Sequence, residues 1–174
     1  MIIIRNEMLE DIDAIRIVVE KAFGTAEEAI LVDRLRDAGK ATISLVATED
    51  EQIIGHILFS PVTIESNKTQ ANDSSVAAIG LAPLAVLPEF QNRGVGSLLT
   101  RAGLDECRKA GYECVVVLGH PHYYPRFGFV PSVRYQIKSE YDVSDETFMI
   151  LELKEGVLQN QSGIAKYQPE FNEF

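Results

Sequence analysis

An apolar run ending at Leu87 gives way to Pro88-Glu89-Phe90-Gln91-Asn92-Arg93-Gly94-Val95-Gly96-Ser97, where the spacing Gln-x-x-Gly-x-Gly opens a helical pattern. The first N–H groups of a helix have no intrahelical acceptor and lie at the positive end of its dipole, so a diphosphate can be bound there largely by main chain. Gly94 and Gly96 let the backbone come close to such an anion. The nucleotide P-loop is excluded, because no Lys-Ser or Lys-Thr follows the second glycine to reach a terminal phosphate and a magnesium ion. The dinucleotide fingerprint is excluded as well, since it carries a further glycine. Downstream, Leu118-Gly119-His120-Pro121-His122-Tyr123-Tyr124-Pro125-Arg126-Phe127-Gly128-Phe129 gathers imidazoles, phenols and a guanidinium just past an apolar strand pattern.

In this order and separation the two blocks resemble the GCN5-related N-acetyltransferase (GNAT) family. That family has a pyrophosphate loop Gln/Arg-x-x-Gly-x-Gly/Ala after its fourth strand and a closing Tyr-x-x-x-Gly-Phe segment. The wording of the second block is similar to the YhbS-like branch, and the likeness runs from residue 2 to residue 153 by order of elements. The resemblance implies an α/β, GNAT-like acyl-CoA N-acyltransferase fold: a mixed central sheet with an antiparallel N-terminal part, splayed fourth and fifth strands, and flanking helices. It implies direct transfer of an acetyl group from acetyl-CoA to a primary amine in a ternary complex, with no metal. On this basis the main chain of Arg93, Gly94, Val95, Gly96 and Ser97 grips the CoA diphosphate while Gln91 and Asn92 shape the turn. Backbone N–H groups around Leu84, Ala85 and Val86 polarise the thioester carbonyl and pair with pantetheine amides in the manner of an added strand. Tyr123, Arg126 and Phe127 complete the CoA contacts, and Tyr124, four residues before Gly128, is the proton donor.

A phenol with an ordinary pKa near 10 stays protonated at neutral pH and can supply a proton to a departing thiolate. The same ring could instead simply pack with Phe127 and Phe129, and Tyr123 is the substitute donor if the register shifts by one residue. The residues say less about the base. Residues 76 to 86 contain no Glu, Asp or His, although some members of the family place a base on this strand. His120 and His122 are candidates for the base or for acceptor contacts, since imidazole changes charge in the useful range, and the competing reading is of loop histidines held by neighbouring prolines. Glu27 and Glu28 lie at the junction of the first two helices, which lines the acceptor pocket in the family; Glu28 is better explained as a cap, leaving Glu27 the freer candidate. His56 alternates with Ile54 and Leu58 and reads as a half-buried structural residue. A non-catalytic acyl-CoA-binding or sensing module is the alternative: Tyr124 favours the enzyme, and the missing strand carboxylate favours the module.

Composition bounds these readings. A chain of 174 residues, 46% of them hydrophobic, suits one full core, so a single domain over residues 1–154 is expected, with a tail over 155–174 packed on it or extending from it. No apolar run reaches the length of a membrane span and the N-terminus lacks the pattern of a signal peptide, so the expected location is the cytoplasm. Cys107 and Cys114 read as free buried thiols, and the three histidines have no partner set at zinc spacing. A net charge of -10 argues against nucleic acid as a partner and favours a cationic amine, a small molecule before a protein. The same charge repels CoA, so Arg93 and Arg126 are expected to supply local donors. Monomer and homodimer are both compatible with the sequence.

These residues need a scaffold to position them. Residues 2 to 5 read as a strand, and Asp11 as the cap of a helix with Ile12, Ile15, Val19, Ala22 and Phe23 on one face. Thr25 and Glu28 form a capping box for a second helix that Gly39 stops. Residues 41 to 48 and 52 to 60 make an antiparallel hairpin about Glu49-Asp50-Glu51, and residues 63 to 75 a mobile loop. Residues 76 to 87 suit a central strand covered on both faces, with Pro83 at a bulge or where pairing opens. A helix from Val95 to about Lys109 then crosses to a strand at residues 114 to 118, parallel to its predecessor by the right-handed crossover rule. Residues 147 to 153 form a late strand, and residues 156 to 174 have no assignment.

Overall fold

β-Branched residues open the chain. In the computed structural model, which describes residues 1–66 and 76–173, Ile2–Asn6 forms β1, antiparallel to β2 (Ile43–Glu49) with Ile2 opposite Glu49. Asp50 and Glu51, at φ 49° and 67°, turn β2 into β3 (Gln52–Glu65). Left-handed backbone at both central residues matches the right-handed twist of the flanking strands, so the acidic triplet contains a two-residue hairpin turn. β3 outlasts the expected strand: Thr63, Ile64 and Glu65 pair with a late strand, and of the expected mobile loop residues 67 to 75 lie outside the described residues.

α1 (Ile12–Phe23) buries Ile15, Val18 and Val19 and ends on Gly24 in the left-handed region, while α2 (Glu27–Asp37) buries Ala29, Leu31, Val32 and Leu35. Neither expected N-cap forms. The Asp11 carboxylate accepts from Arg5 and from the Met8 N–H, both at 2.7 Å. Thr25 Oγ1 donates to the Glu28 carboxylate at 3.1 Å, one residue ahead of the actual cap position, Ala26. Asp11 is thus turned back onto β1 and the residue before its own 3-10 turn, away from the first amides of α1, and Thr25 stands one residue too early to reach those of α2.

β4 (Ala78–Val86) passes through Pro83, and its Ala82–Pro83 peptide is cis. The 15-residue α3 (Val95–Lys109) leads to β5 (Cys114–Leu118). β4 and β5 pair in parallel from Ala78 opposite Cys114 to Leu81 opposite Val117, and there the ladder stops. The chain continues through β6 (Val130–Pro131), β7 (Ile137–Ser139), β8 (Phe148–Glu152) and β9 (Gly163–Lys166). Hydrogen-bonded neighbours follow the order β1-β2-β3-β4-β5-β8-β6, and β9 joins both β3 and β7. This is the expected mixed α/β fold with an antiparallel N-terminal part.

The structure also places the segment that has no sequence assignment. β9 runs parallel to β7 and antiparallel to β3. In the final turn Lys40 binds Glu170 at 2.7 Å and Arg34 pairs with Glu173.

Two compact units share β3 and β4: one is Met1–Ser60, Ala82–Glu106 and Pro169–Phe174, the other Pro61–Leu81 and Cys107–Gln168. The first is built on Ile15, Val19, Leu35, Ile57, Phe59 and Leu99. The second has Val62, Val116, Ile137, Phe148, Ile150 and Leu158 at its centre.

Within the first unit a polar cluster interrupts the apolar core. His56 is fully buried, not half-buried as its strand position suggested. Ser44 Oγ bonds the Glu7 carboxylate and lies 2.7 Å from His56 Nε2. The hydroxyl has one proton and the carboxylate none, so the imidazole carries its hydrogen on Nε2 and donates to Ser44. Arg36 closes on Glu7 through Nε at 2.9 Å and Nη2 at 3.0 Å. Burial opposes charge on Glu7, yet hydrogen bonds from His56, Arg36 and Ser44 outweigh it and hold the carboxyl well below the usual range. Burial lowers His56 in turn, against the pull of Glu7.

Both depressed values act in one direction on stability. Each contribution is complete above the unfolded values, 4.5 for the carboxyl and 6.5 for the imidazole, and is lost as pH falls through the folded ones. The melting temperature is therefore expected to fall on acidification, most steeply below about pH 5. Glu7→Gln should cost ~2 kcal/mol near neutrality, by leaving Arg36 with a weaker partner, and should flatten the acid slope. Melting curves across pH check this, and parallel profiles for the two proteins would refute it.

Candidate active site

The Leu87 N–H donates to the Ile54 carbonyl at 2.9 Å and fastens the end of β4. A 3-10 turn, Pro88–Phe90, then carries the chain into the glycine loop. Gln91 Nε2 donates to the Val86 carbonyl at 3.0 Å, and Asn92 and Gly94 take left-handed φ of 62° and 83°. Gln91 and Asn92 therefore do shape this turn. A Cβ on Gly94 would meet nothing within 4 Å, so this glycine is needed for its backbone conformation and leaves open space beside the loop. The Leu98 N–H reaches the Gly94 carbonyl at 3.0 Å, so the amides of residues 94 to 97 precede this first i→i−4 bond, at the positive end of α3.

The side chains around the loop divide the work. Val95 is core, packed where Gly55 leaves room for it and for Leu99. The Arg93 guanidinium stacks over Phe90 at 5.2 Å and pairs with Glu49 at 3.3 Å. Its charge is thus partly neutralised at the hairpin. Ala85 is buried and Leu84 and Val86 are half-buried, all beyond the last residue of β4 that pairs with β5.

The second block lies in the other unit. Gly119 follows β5 directly and donates to the Thr147 carbonyl at 2.9 Å. Tyr124 opens a 3-10 turn, Tyr124–Phe127, and its ring meets Tyr123 at 5.0 Å and Phe129 at 5.7 Å, edge to face in both cases. A Cβ on Gly119 would fall 2.5 Å from Tyr124 Cε2, so this glycine provides room for the ring. Burial, helped by the neighbouring Tyr123, pushes the Tyr124 phenol up to about 12. The phenol therefore holds its proton more firmly than a free tyrosine: it is protonated near neutrality, which excludes a base there, and it has a proton to give only to a group that becomes strongly basic.

Arg126 lies over the Tyr123 ring at 4.4 Å and donates through Nε to the Tyr123 carbonyl at 2.8 Å. Phe127 is half-buried with its ring 5.4 Å from Tyr123. His120 and His122 are exposed, the former through its carbonyl an anchor for the turn. Glu27 is exposed at the first position of α2. Cys107 and Cys114 are buried thiols outside any disulfide, and no group of His, Cys, Asp and Glu among the described residues could hold a metal. Sequence reasoning overlooked Gly119, and also the ring of Tyr167 over Gly80. The available signal was a glycine with no turn to explain it.

A parallel strand pair whose crossover helix starts in a glycine loop is the arrangement of the acyl-CoA N-acyltransferase fold. An acetyltransferase (GNAT) domain model matches residues 4–132. The chain belongs to that family. It is 34% identical over 173 residues to the uncharacterized N-acetyltransferase YhbS of Escherichia coli K12, covering 99% of each chain. It is 43% identical over 123 residues to the uncharacterized N-acetyltransferase YjhQ of the same strain, covering 70% of this chain and 65% of that one. The crystal structure of Escherichia coli YhbS in complex with CoA superposes with a TM-score of 0.91 at 33% identity, over 99% of this chain and 93% of that one. A GNAT family acetyltransferase from Brucella melitensis in complex with acetyl-CoA gives 0.79 at 35% identity, over 98% of each.

Proposed function

We propose that this chain is an N-acetyltransferase that uses acetyl-CoA and acetylates a primary amine directly within a ternary complex. The observation that carries the reading is the loop over residues 91 to 97, where left-handed backbone at Asn92 and Gly94 sets main-chain amides at the start of α3 beside open space. Two relatives of similar fold, at 33% and 35% identity, were crystallised with CoA and with acetyl-CoA, which supports the same co-substrate here. Acetyl-CoA, when bound, supplies an acetyl thioester. The amides of residues 94 to 97 would hold its diphosphate. Those of residues 84 to 86 would pair with its amide-bearing arm and withdraw charge from the carbonyl. Tyr124 Oη would donate its proton to the departing sulfur as the amine takes the acetyl group.

The amine must arrive neutral or lose its proton on the way, and the exposed His120 and His122, with Glu27, are the candidates to receive it. The acidic chain, at a net charge of -10, favours a cationic small molecule as acceptor. No helix among the described residues is long and apolar enough to cross a membrane, and we place the enzyme in the cytoplasm. Calorimetry with acetyl-CoA, followed by thiol-reagent detection of CoA release over pooled primary amines, tests the reading. Binding with amine-dependent release is expected; binding without release would favour the sensing module, and no binding would overturn both.

A further inference from the structure

The glycine loop is tied at two points along its left-handed stretch. Asn92 and Gly94 both take positive φ, a conformation that disfavours a residue with a Cβ even where asparagine tolerates it. Just before Asn92, Gln91 is fastened to the Val86 carbonyl, a contact within the same segment. Between the two left-handed residues, Arg93 leaves the segment altogether. It reaches the hairpin of β2 and β3, where its Nη2 donates to Glu49 Oε1 at 3.3 Å.

Glu49 offers a firm attachment. It is the last residue of β2, with Ile2 opposite it on one side and Gln52 on the other. Its side chain is only 21% exposed, and the Phe90 ring lies beneath the guanidinium at 5.2 Å, so the pair is better sheltered than an open surface ion pair. The hairpin is in turn joined to the end of β4, where the Leu87 N–H meets the Ile54 carbonyl. Strand end, loop and hairpin therefore close on one another through Arg93.

We propose that Glu49 is a positioning residue for the co-substrate loop: by holding Arg93 at the hairpin, over Phe90, it fixes the left-handed course of residues 92 to 94 from which the amides of residues 94 to 97 are presented. The assignment rests on the N-acetyltransferase reading above. A loop released from the hairpin samples other courses, and its apparent affinity falls with the fraction that remains competent. Charge alone predicts the opposite sign. A carboxylate beside an anion site repels a diphosphate, so losing it should tighten binding.

Isothermal titration with acetyl-CoA separates the two effects. Glu49→Ala should weaken binding by about threefold, the scale of one sheltered ion pair transmitted to the loop, and Glu49→Asp, which keeps an acceptor for the guanidinium, should restore most of it. Glu51→Gln removes the same charge from the exposed tip of the same hairpin and should bind as wild type does or more tightly. Added to Arg93→Gln, Glu49→Ala should bring no further loss, because its only route to the loop is already cut. Unchanged or tighter binding by Glu49→Ala, an equal loss in Glu51→Gln, a further loss in the double variant, or a lowered melting temperature with affinity intact would overturn the assignment and leave the transferase reading standing. Failure of wild type to bind acetyl-CoA would overturn both.

Discussion

Tyr124→Phe should slow CoA release by about 100- to 10,000-fold, the usual contribution of a positioned general acid, and leave acetyl-CoA affinity within about twofold. Phenylalanine keeps the ring that fills the space over Gly119 and packs against Tyr123 and Phe129, so only the Oη proton is lost. Burial holds that proton up to about 12, so no alkaline fall in wild-type rate should trace to Tyr124 until pH approaches that value. Gly119→Ala gives an independent view of the same group. It removes no polar atom, yet its Cβ would stand 2.5 Å from the Tyr124 ring, and a displaced phenol should cost rate without weakening co-substrate binding. Single-turnover kinetics with wild-type and variant enzymes would decide the matter. If Tyr124→Phe turned over as fast as wild type, the departing sulfur would need another proton source.

Gly94→Val is expected to have the other large effect, on binding and not on chemistry. The position is at φ 83° and a Cβ there would have nothing within 4 Å, so valine would not clash but would be forced from its preferred backbone. A β-branched residue in the left-handed region costs on the order of 1–3 kcal/mol, which the loop can relieve only by changing its backbone course and with it the direction of the amides of residues 94 to 97. The dissociation constant for acetyl-CoA should rise by at least about tenfold. Gly94→Asn is the control, since asparagine tolerates this conformation and should retain most of the affinity. Isothermal titration of the three proteins provides the measurement; equal affinities would dismiss the main-chain cradle.

The glycine loop was legible because everything that shapes it is local. Left-handed backbone, a helix start and the side chain of Gln91 folded back onto Val86 are set by neighbours along the chain. The hairpin turn at Asp50 and Glu51, the centre of the apolar face of α1 at Ile15 and Val19 and the parallel β4–β5 pair were readable for the same reason, each being a matter of periodicity or of one connection, whereas Phe23 at the end of that helix is exposed and Val18 is buried in its place. The Asp11 cap misled because its carboxylate turns to Arg5, a cation on another element, and to the Met8 amide upstream of it. The last strands carried no signal: β9 has four residues, and its partners β3 and β7 lie far off in sequence.

The linear order of residues was sufficient to determine a glycine loop at a helix start, a phenol in a closing turn and a mixed α/β scaffold, since short-range sterics and hydrophobic repeat dictate each of them. Tertiary structure alone decided that His56 is sealed beside Glu7 and Ser44, and that Gly119 and Gly80 are seats for the rings of Tyr124 and Tyr167. Burial, proton affinity and close packing depend on which distant residues share a volume, and no spacing along a chain encodes that.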